Sequence, residues 1–208
     1  MAAQVLIAAI EQADGKAPEL IGAARTFLYK GLDADPRCIN CLFGLIVLDL
    51  HLDKAPHPAV IARLGDALRS GHVGPTKVSV SQFSFLVKWQ RSGDSALTAS
   101  DLESIFDAAL ANPSWAHTGR AGIEAAYREY HEFVSQDLEA ALQHAQAAVS
   151  AWPGQWSYHM QLAQVLTKLG RIDQAQQALE QAARVAGNES QQQQTAELRD
   201  SLVTGPPS

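Results

Sequence analysis

The chain has 208 residues, 47% of them hydrophobic and 18% charged, which supplies enough apolar surface for a continuous core and too little charge for a disordered chain. Sixteen Lys and Arg face 22 Asp and Glu, a formal net charge of -6; with no concentrated basic face, nucleic acid and anionic membrane surfaces are poor partners. The longest apolar block, Cys41 to Leu50, is interrupted by Gly44 and Asp49 and falls short of the ~20 residues of a membrane span, so no direct membrane insertion is expected.

Strand signals are nearly absent, and helix punctuation recurs along the whole chain. Met1 to Ile10 carries an apolar run without a basic leader or a small-residue cleavage site, so it reads as the start of a helix over 2–13 and not as a signal peptide. Pro18, Pro36 and Pro58 stand ahead of apolar-periodic runs, where the missing N–H costs little; they open helices over 17–32, 36–52 and 57–70. A helix over 76–91 follows Gly71. Ser92 to Ala99 is irregular, and Ser100 with Glu103 reads as a capping box that opens a helix over 100–111. Helices over 115–133, 137–152, 154–169, 173–187 and 189–203 complete the body, with Gly170 and Gly187 as stops. The connections are short enough for neighbours to pack antiparallel.

The clearest unit runs from Gly154 to Gly187. Its first helix carries Leu162, Ala163 and Leu166; then come the turn Leu169-Gly170-Arg171 and a second helix with Ile172, Ala175, Leu179 and Ala182. Small residues let two helix backbones approach, and large ones fill the groove between pairs. This pattern resembles a tetratricopeptide repeat. Two positions depart from the family: His159 stands where a large aromatic is usual, and Gly187 replaces the closing proline. Upstream, apolar helices close on Trp152-Pro153, Asn112-Pro113 and Asp35-Pro36 at similar offsets. The resemblance implies an all-α superhelical solenoid of roughly five antiparallel helix pairs in a single domain over 1–203. Glu189 to Val203, polar with a thin stripe of Ala196, Leu198 and Leu202, suits a capping helix with a wettable outer face, and 204–208 a flexible tail.

Cys38 and Cys41 are the only cysteines and form a CxxC. With Asp35 as N-cap, Cys38 falls in the first turn of the helix over 36–52, where free N–H groups and the helix dipole stabilise a thiolate. The strand of a thioredoxin framework is missing, so three readings stay open: a redox pair, a disulfide, and two small buried residues. His51 and His57 faintly match zinc-finger spacing, but Cys41 and His51 lie ~15 Å apart along one helix, and zinc ligands converge within ~2–2.3 Å of one ion; no metal site and no cofactor are expected. Glu124, Arg128, His131 and Glu132 share a helical face, read as a solvated charged surface. No HExxH, phosphate loop or nucleophile elbow is present, so the domain shows no catalytic constellation.

The family resemblance implies an interaction scaffold for a protein or peptide partner. In tetratricopeptide stacks the first helix of each pair lines a concave groove. Carried over helix by helix, that groove presents Cys38, Cys41, Leu45 and Leu48, then Phe85, Lys88 and Trp89, then Glu124, Arg128 and His131, and lastly Met160, Gln164 and Lys168. This mixed surface does not copy the two-carboxylate clamp of chaperone-tail binders. A second reading rests on Asn112-Pro113, Gln136-Asp137 and Leu169-Gly170-Arg171, which look similar to soluble C-terminal repeat regions of bacterial membrane proteins of surface-glycan polymerisation or transfer. It would make the domain a periplasmic accessory of such an enzyme; otherwise the expectation is cytoplasmic. Thiol–disulfide exchange at Cys38 and Cys41 is the third.

Overall fold

The computed structural model describes residues 18–52, 54–70, 80–91 and 96–204; the helix expected over 2–13, the start of that over 76–91, the first half of the irregular segment after Arg91 and all but the first residue of the tail expected over 204–208 lie outside them. Among the described residues the chain is all-helical, with no strand. Its contacts gather it into two compact units, 1–115 and 116–208.

The N-terminal unit holds α1 (Pro18–Ala34), α2 (Ile39–Leu50), α3 (Pro58–Arg69), α4 (Val80–Arg91) and α5 (Ala99–Leu110). α2 is apolar nearly all round, burying Ile39, Leu42, Phe43, Leu45, Ile46, Leu48 and Leu50, as expected of a helix packed on more than one side; it lies between α1 and α3. Gly44 lets α1 close on it, since a Cβ there would sit 2.7 Å from a methyl of Leu28. Aromatic contacts, one edge-on and one tilted, extend the core. The rings of Phe43 and Phe83 are 5.2 Å apart and those of Phe83 and Phe106 5.5 Å, separations that favour attraction between ring quadrupoles.

Two start signals sit elsewhere than the sequence suggested. α2 begins at Ile39 with Cys38 as its N-cap, not at Pro36, because Asp35 to Cys38 is spent on a turn in which Asp35 accepts from the N–H groups of Arg37 and Cys38. The capping box of α5 is Thr98 with Asp101, not Ser100 with Glu103. The Thr98 hydroxyl accepts from the Asp101 N–H at 3.1 Å and the Asp101 carboxylate takes the Thr98 N–H at 3.2 Å, so two orphan donors are satisfied reciprocally. Pro58 does occupy the first turn of α3, ahead of which His57 accepts from the Ala59 N–H.

The C-terminal unit is regular: α6 (His117–Phe133), α7 (Leu138–Ala151), α8 (Trp156–Lys168), α9 (Ile172–Val185) and α10 (Glu189–Thr204). Short turns return each helix against its predecessor, giving the pairs α6–α7 and α8–α9 and a last helix on the second pair. Asp137 caps α7, its carboxylate accepting from the Ala140 N–H at 2.9 Å. α8 stops at Gly170, whose φ of +69° is the left-handed conformation that glycine adopts without a Cβ penalty. The N–H of Gly170 returns to the Thr167 carbonyl and that of Arg171 to Leu166, the paired closure of a Schellman motif. Ala141, Ala163, Ala175, Ala178 and Ala182 are buried beside Leu142, Leu166 and Leu179, so the alanine stripes lie where helices approach most closely. α10 packs Leu198 and Leu202 on this core, and the indole N–H of Trp156 reaches the Thr195 hydroxyl at 2.9 Å. The tetratricopeptide-like packing implied by the alanine and leucine spacing is thus the packing of this unit.

Candidate functional site

The first helices of the C-terminal pairs, α6 and α8, carry a connected polar network. On α6, Arg120, Glu124, Arg128 and Glu132 recur at a spacing of four, which aligns them along one face. Arg120 lies 3.6 Å from Glu124, and Arg128 is ion-paired with Glu132. Lys168, at the end of α8, reaches the second oxygen of Glu132 at 2.6 Å, and its ammonium sits 4.7 Å from the centre of the Phe133 ring. Glu132 therefore takes two cations at once and joins the two helices.

Glu124, Arg128 and Glu132 are 4%, 8% and 8% exposed, which corrects the expectation of a solvated charged face. The reason lies in neighbours remote in sequence: His144 on α7 comes to 2.8 Å from the Glu124 carboxylate, and Lys168 covers Glu132. Charges persist in such surroundings only when paired, and removing one partner leaves the other uncompensated. Beside them the rings of Tyr127, His131 and His144 stack, with Tyr127 4.6 and 4.3 Å from the two imidazoles and the imidazoles within 2° of parallel at 5.2 Å. His131 also hydrogen-bonds Ser135 at 3.0 Å.

The remaining expected groove residues fall into two sets. Gln164 and Lys168 are exposed and His131 is half-buried. Met160 is buried, because α10 closes over it and the Thr195 hydroxyl meets its sulfur at 3.6 Å. In the N-terminal unit Leu45 and Leu48 are core residues, 3% and 0% exposed, since α2 has no polar face to turn to solvent. Phe85, Lys88 and Trp89 do share a surface of α4: Lys88 is exposed and the rings are half-buried. His51, the C-cap of α2, completes that cluster with its ring 4.7 Å from Trp89 and 5.9 Å from Phe85. Spacing alone did not bring His51 to this group.

Cys38 and Cys41 form a disulfide with Cα atoms 5.2 Å apart; of the three readings of the pair, two free buried residues falls away. Extended backbone at Cys38 (φ -60°, ψ 92°) puts one cysteine ahead of the helix and the other inside it. His57 serves as a helix cap and His51 stacks on Trp89, and among the described residues no group of three or more His, Cys, Asp or Glu could hold a metal ion. The N-terminal unit also has an open cavity of about 500 Å³, bordered by Arg25, Asp49, Lys54 and Asp101. Asp49 is held by Arg25 at 2.6 Å and Asp101 by Thr98, so its carboxylates are engaged in structure.

A tetratricopeptide-repeat family model matches residues 135–197. No curated protein matches the chain. The match begins in the turn before α7 and ends within α10, and its helix pair α8–α9 is the unit singled out by its leucines, alanines and Gly170. The chain carries tetratricopeptide repeats over this stretch, and repeats of this kind are interaction modules that are generally not catalytic. Among the described residues no helix is long and apolar enough to cross a membrane.

Proposed function

We propose that the tetratricopeptide-repeat unit is an interaction scaffold that holds a protein or peptide partner against the face formed by its first helices, α6 and α8. The observation that carries this reading is Lys168. Its side chain remains 46% exposed while Glu132 and the Phe133 ring hold it from two sides. An exposed cation fixed in this way has already lost much of the side-chain freedom that binding would otherwise remove. Phe133 is itself 41% exposed, and Gln164 stands one turn before Lys168 on α8, so the face offers an aromatic ring, an amide and a cation within a short distance. Beneath them lie the buried Arg128–Glu132 pair and the buried Glu124 with its half-buried partner His144. On this reading the unit acts by positioning its partner and needs no cofactor.

The test is site-specific photocrosslinking in the full chain, with the crosslinker at Gln164 on α8 or at Gln177 on α9, both exposed. A partner captured from Gln164 and not from Gln177 supports the first-helix face. Capture from Gln177 alone assigns binding to the second helices and removes the proposal.

A further inference from the structure

The disulfide belongs to the N-terminal unit, not to the unit that carries the proposed binding face, and its setting differs from that of a staple. A disulfide stabilises chiefly by restricting the unfolded chain, and more so for longer loops. Cys38 and Cys41 are three apart in sequence, so this one closes almost the shortest loop available. The turn it spans is held without it: the Cys38 N–H donates to the Asp35 carbonyl at 2.9 Å, the Arg37 N–H to the Asp35 carboxylate at 3.0 Å, and the Arg63 guanidinium of α3 to the Pro36 carbonyl at 2.9 Å. Opening the S–S bond therefore leaves the fold its supports.

The two sulfurs are also unlike. Cys41 is inside α2 and faces α1, where a Cβ added to Gly31 would sit 2.5 Å from its Sγ; only a glycine there lets the sulfur approach the α1 backbone. Cys38 precedes the helix, and its Sγ accepts from the Cys41 N–H at 3.3 Å. That N–H is shared with the Cys38 carbonyl at 3.0 Å, and it stands in the first helical turn, where N–H groups and the helix dipole favour negative charge on the Cys38 sulfur. Both residues are partly exposed.

We propose that Cys38–Cys41 is a redox-active disulfide that exchanges with external thiols, with Cys38 as the attacked sulfur and Cys41 as the resolving one. In reduction, the thiolate of an external dithiol attacks Cys38 Sγ. The S–S bond breaks, Cys41 leaves as a thiolate and takes a proton, and Cys38 is held in a mixed disulfide. The second thiolate of the dithiol then attacks its own sulfur partner and releases Cys38. The protein gains two electrons and two protons, and the dithiol becomes a cyclic disulfide. Run in reverse with oxidised glutathione, Cys38 attacks first, expelling one glutathione, and Cys41 resolves the adduct by expelling the second.

The test uses the full chain, dithiothreitol as reductant, oxidised glutathione as oxidant, and alkylation followed by mass spectrometry. The folded protein should yield two alkylated thiols after reduction with its circular dichroism unchanged, and lose both on reoxidation. Cys41→Ser should accumulate a glutathione adduct on Cys38, whereas adduct formation in Cys38→Ser should be on the order of 10-fold slower, because access governs exchange. Should either variant misfold, limited alkylation of reduced wild-type protein reports the same order, with Cys38 modified first. Reduction only in denaturant, or Cys41 reacting as fast as Cys38, would overturn the proposal.

Discussion

Both units are helical among the described residues, but they are packed by different means. The N-terminal unit fills its core with large side chains, Phe43, Phe83 and Phe106 among leucines and isoleucines, and among its described residues buries alanine at Ala24, Ala67, Ala108 and Ala109. The C-terminal unit buries alanine on every helix from α6 to α9, at Ala121, Ala126, Ala141, Ala145, Ala148, Ala163, Ala175, Ala178 and Ala182. Small residues bring helix axes close and make one pair geometrically like the next, so a repeat becomes visible in the sequence. Large residues hold helices apart at distances that each local jigsaw decides, and the periodic signal is lost. The family match over 135–197 falls wholly on the alanine-packed side.

This contrast makes opposite demands on substitution. The largest effect is expected from truncation in the N-terminal unit: Phe83→Ala removes a fully buried ring between two others and should cost about 3–5 kcal/mol, read as a lower urea midpoint with hydrogen exchange accelerated in α2, α4 and α5. A loss below ~1 kcal/mol would mean the three rings are not a packed core. In the C-terminal unit the damaging change is enlargement. Ala175→Leu, at a position with 0% exposure, should cost about 1–3 kcal/mol by overpacking, and an unchanged melting temperature would show that α8 and α9 are not at close approach there.

The regular turns give a smaller effect. Gly170→Ala forces a Cβ into the left-handed region and should cost about 1–2 kcal/mol, checked by denaturant unfolding; no loss would place the end of α8 elsewhere. The smallest effect is a pH dependence. Burial pushes the Tyr158 hydroxyl above its ordinary value of 10.0, so the folded chain keeps this proton where the unfolded chain has released it. Its contribution is then constant below about 10 and declines as pH rises through the folded value. Tyr158→Phe should flatten that part of the stability profile, and identical alkaline profiles would show that the phenol is no more buried than in the unfolded chain.

Legibility followed the same division. The helices of the C-terminal unit, the Gly170 stop and the α8–α9 packing were readable because each rests on local cues: glycine at a left-handed position, alanine at helical spacing, Asp137 at a helix start. The start of α2 was misplaced because Asp35 can cap a helix or close a turn, and the Arg63 contact that favours the turn comes from α3. The burial of Glu124, Arg128 and Glu132 was unreadable for a related reason. Four-residue spacing of charges describes an exposed face equally well, and only His144 and Lys168, brought in from α7 and α8, enclose them. Of the expected groove, Gln164, Lys168 and the cluster of Phe85, Lys88 and Trp89 lie at accessible surfaces. Leu45, Leu48 and Met160 do not, because assigning a residue to a first helix says nothing about what a third helix covers.

The most direct measurement is the affinity of the partner captured by crosslinking for three forms of the full chain: wild type, Gln164→Arg on α8 and Gln177→Arg on α9, each checked for unchanged helicity. Both substitutions add one positive charge to an exposed position of neighbouring helices, so they differ only in the face they alter. The predicted result is weakening by at least about 10-fold, or ~1.4 kcal/mol, for Gln164→Arg and none for Gln177→Arg. Equal affinities for all three, or a loss confined to Gln177→Arg, would contradict binding at the first-helix face.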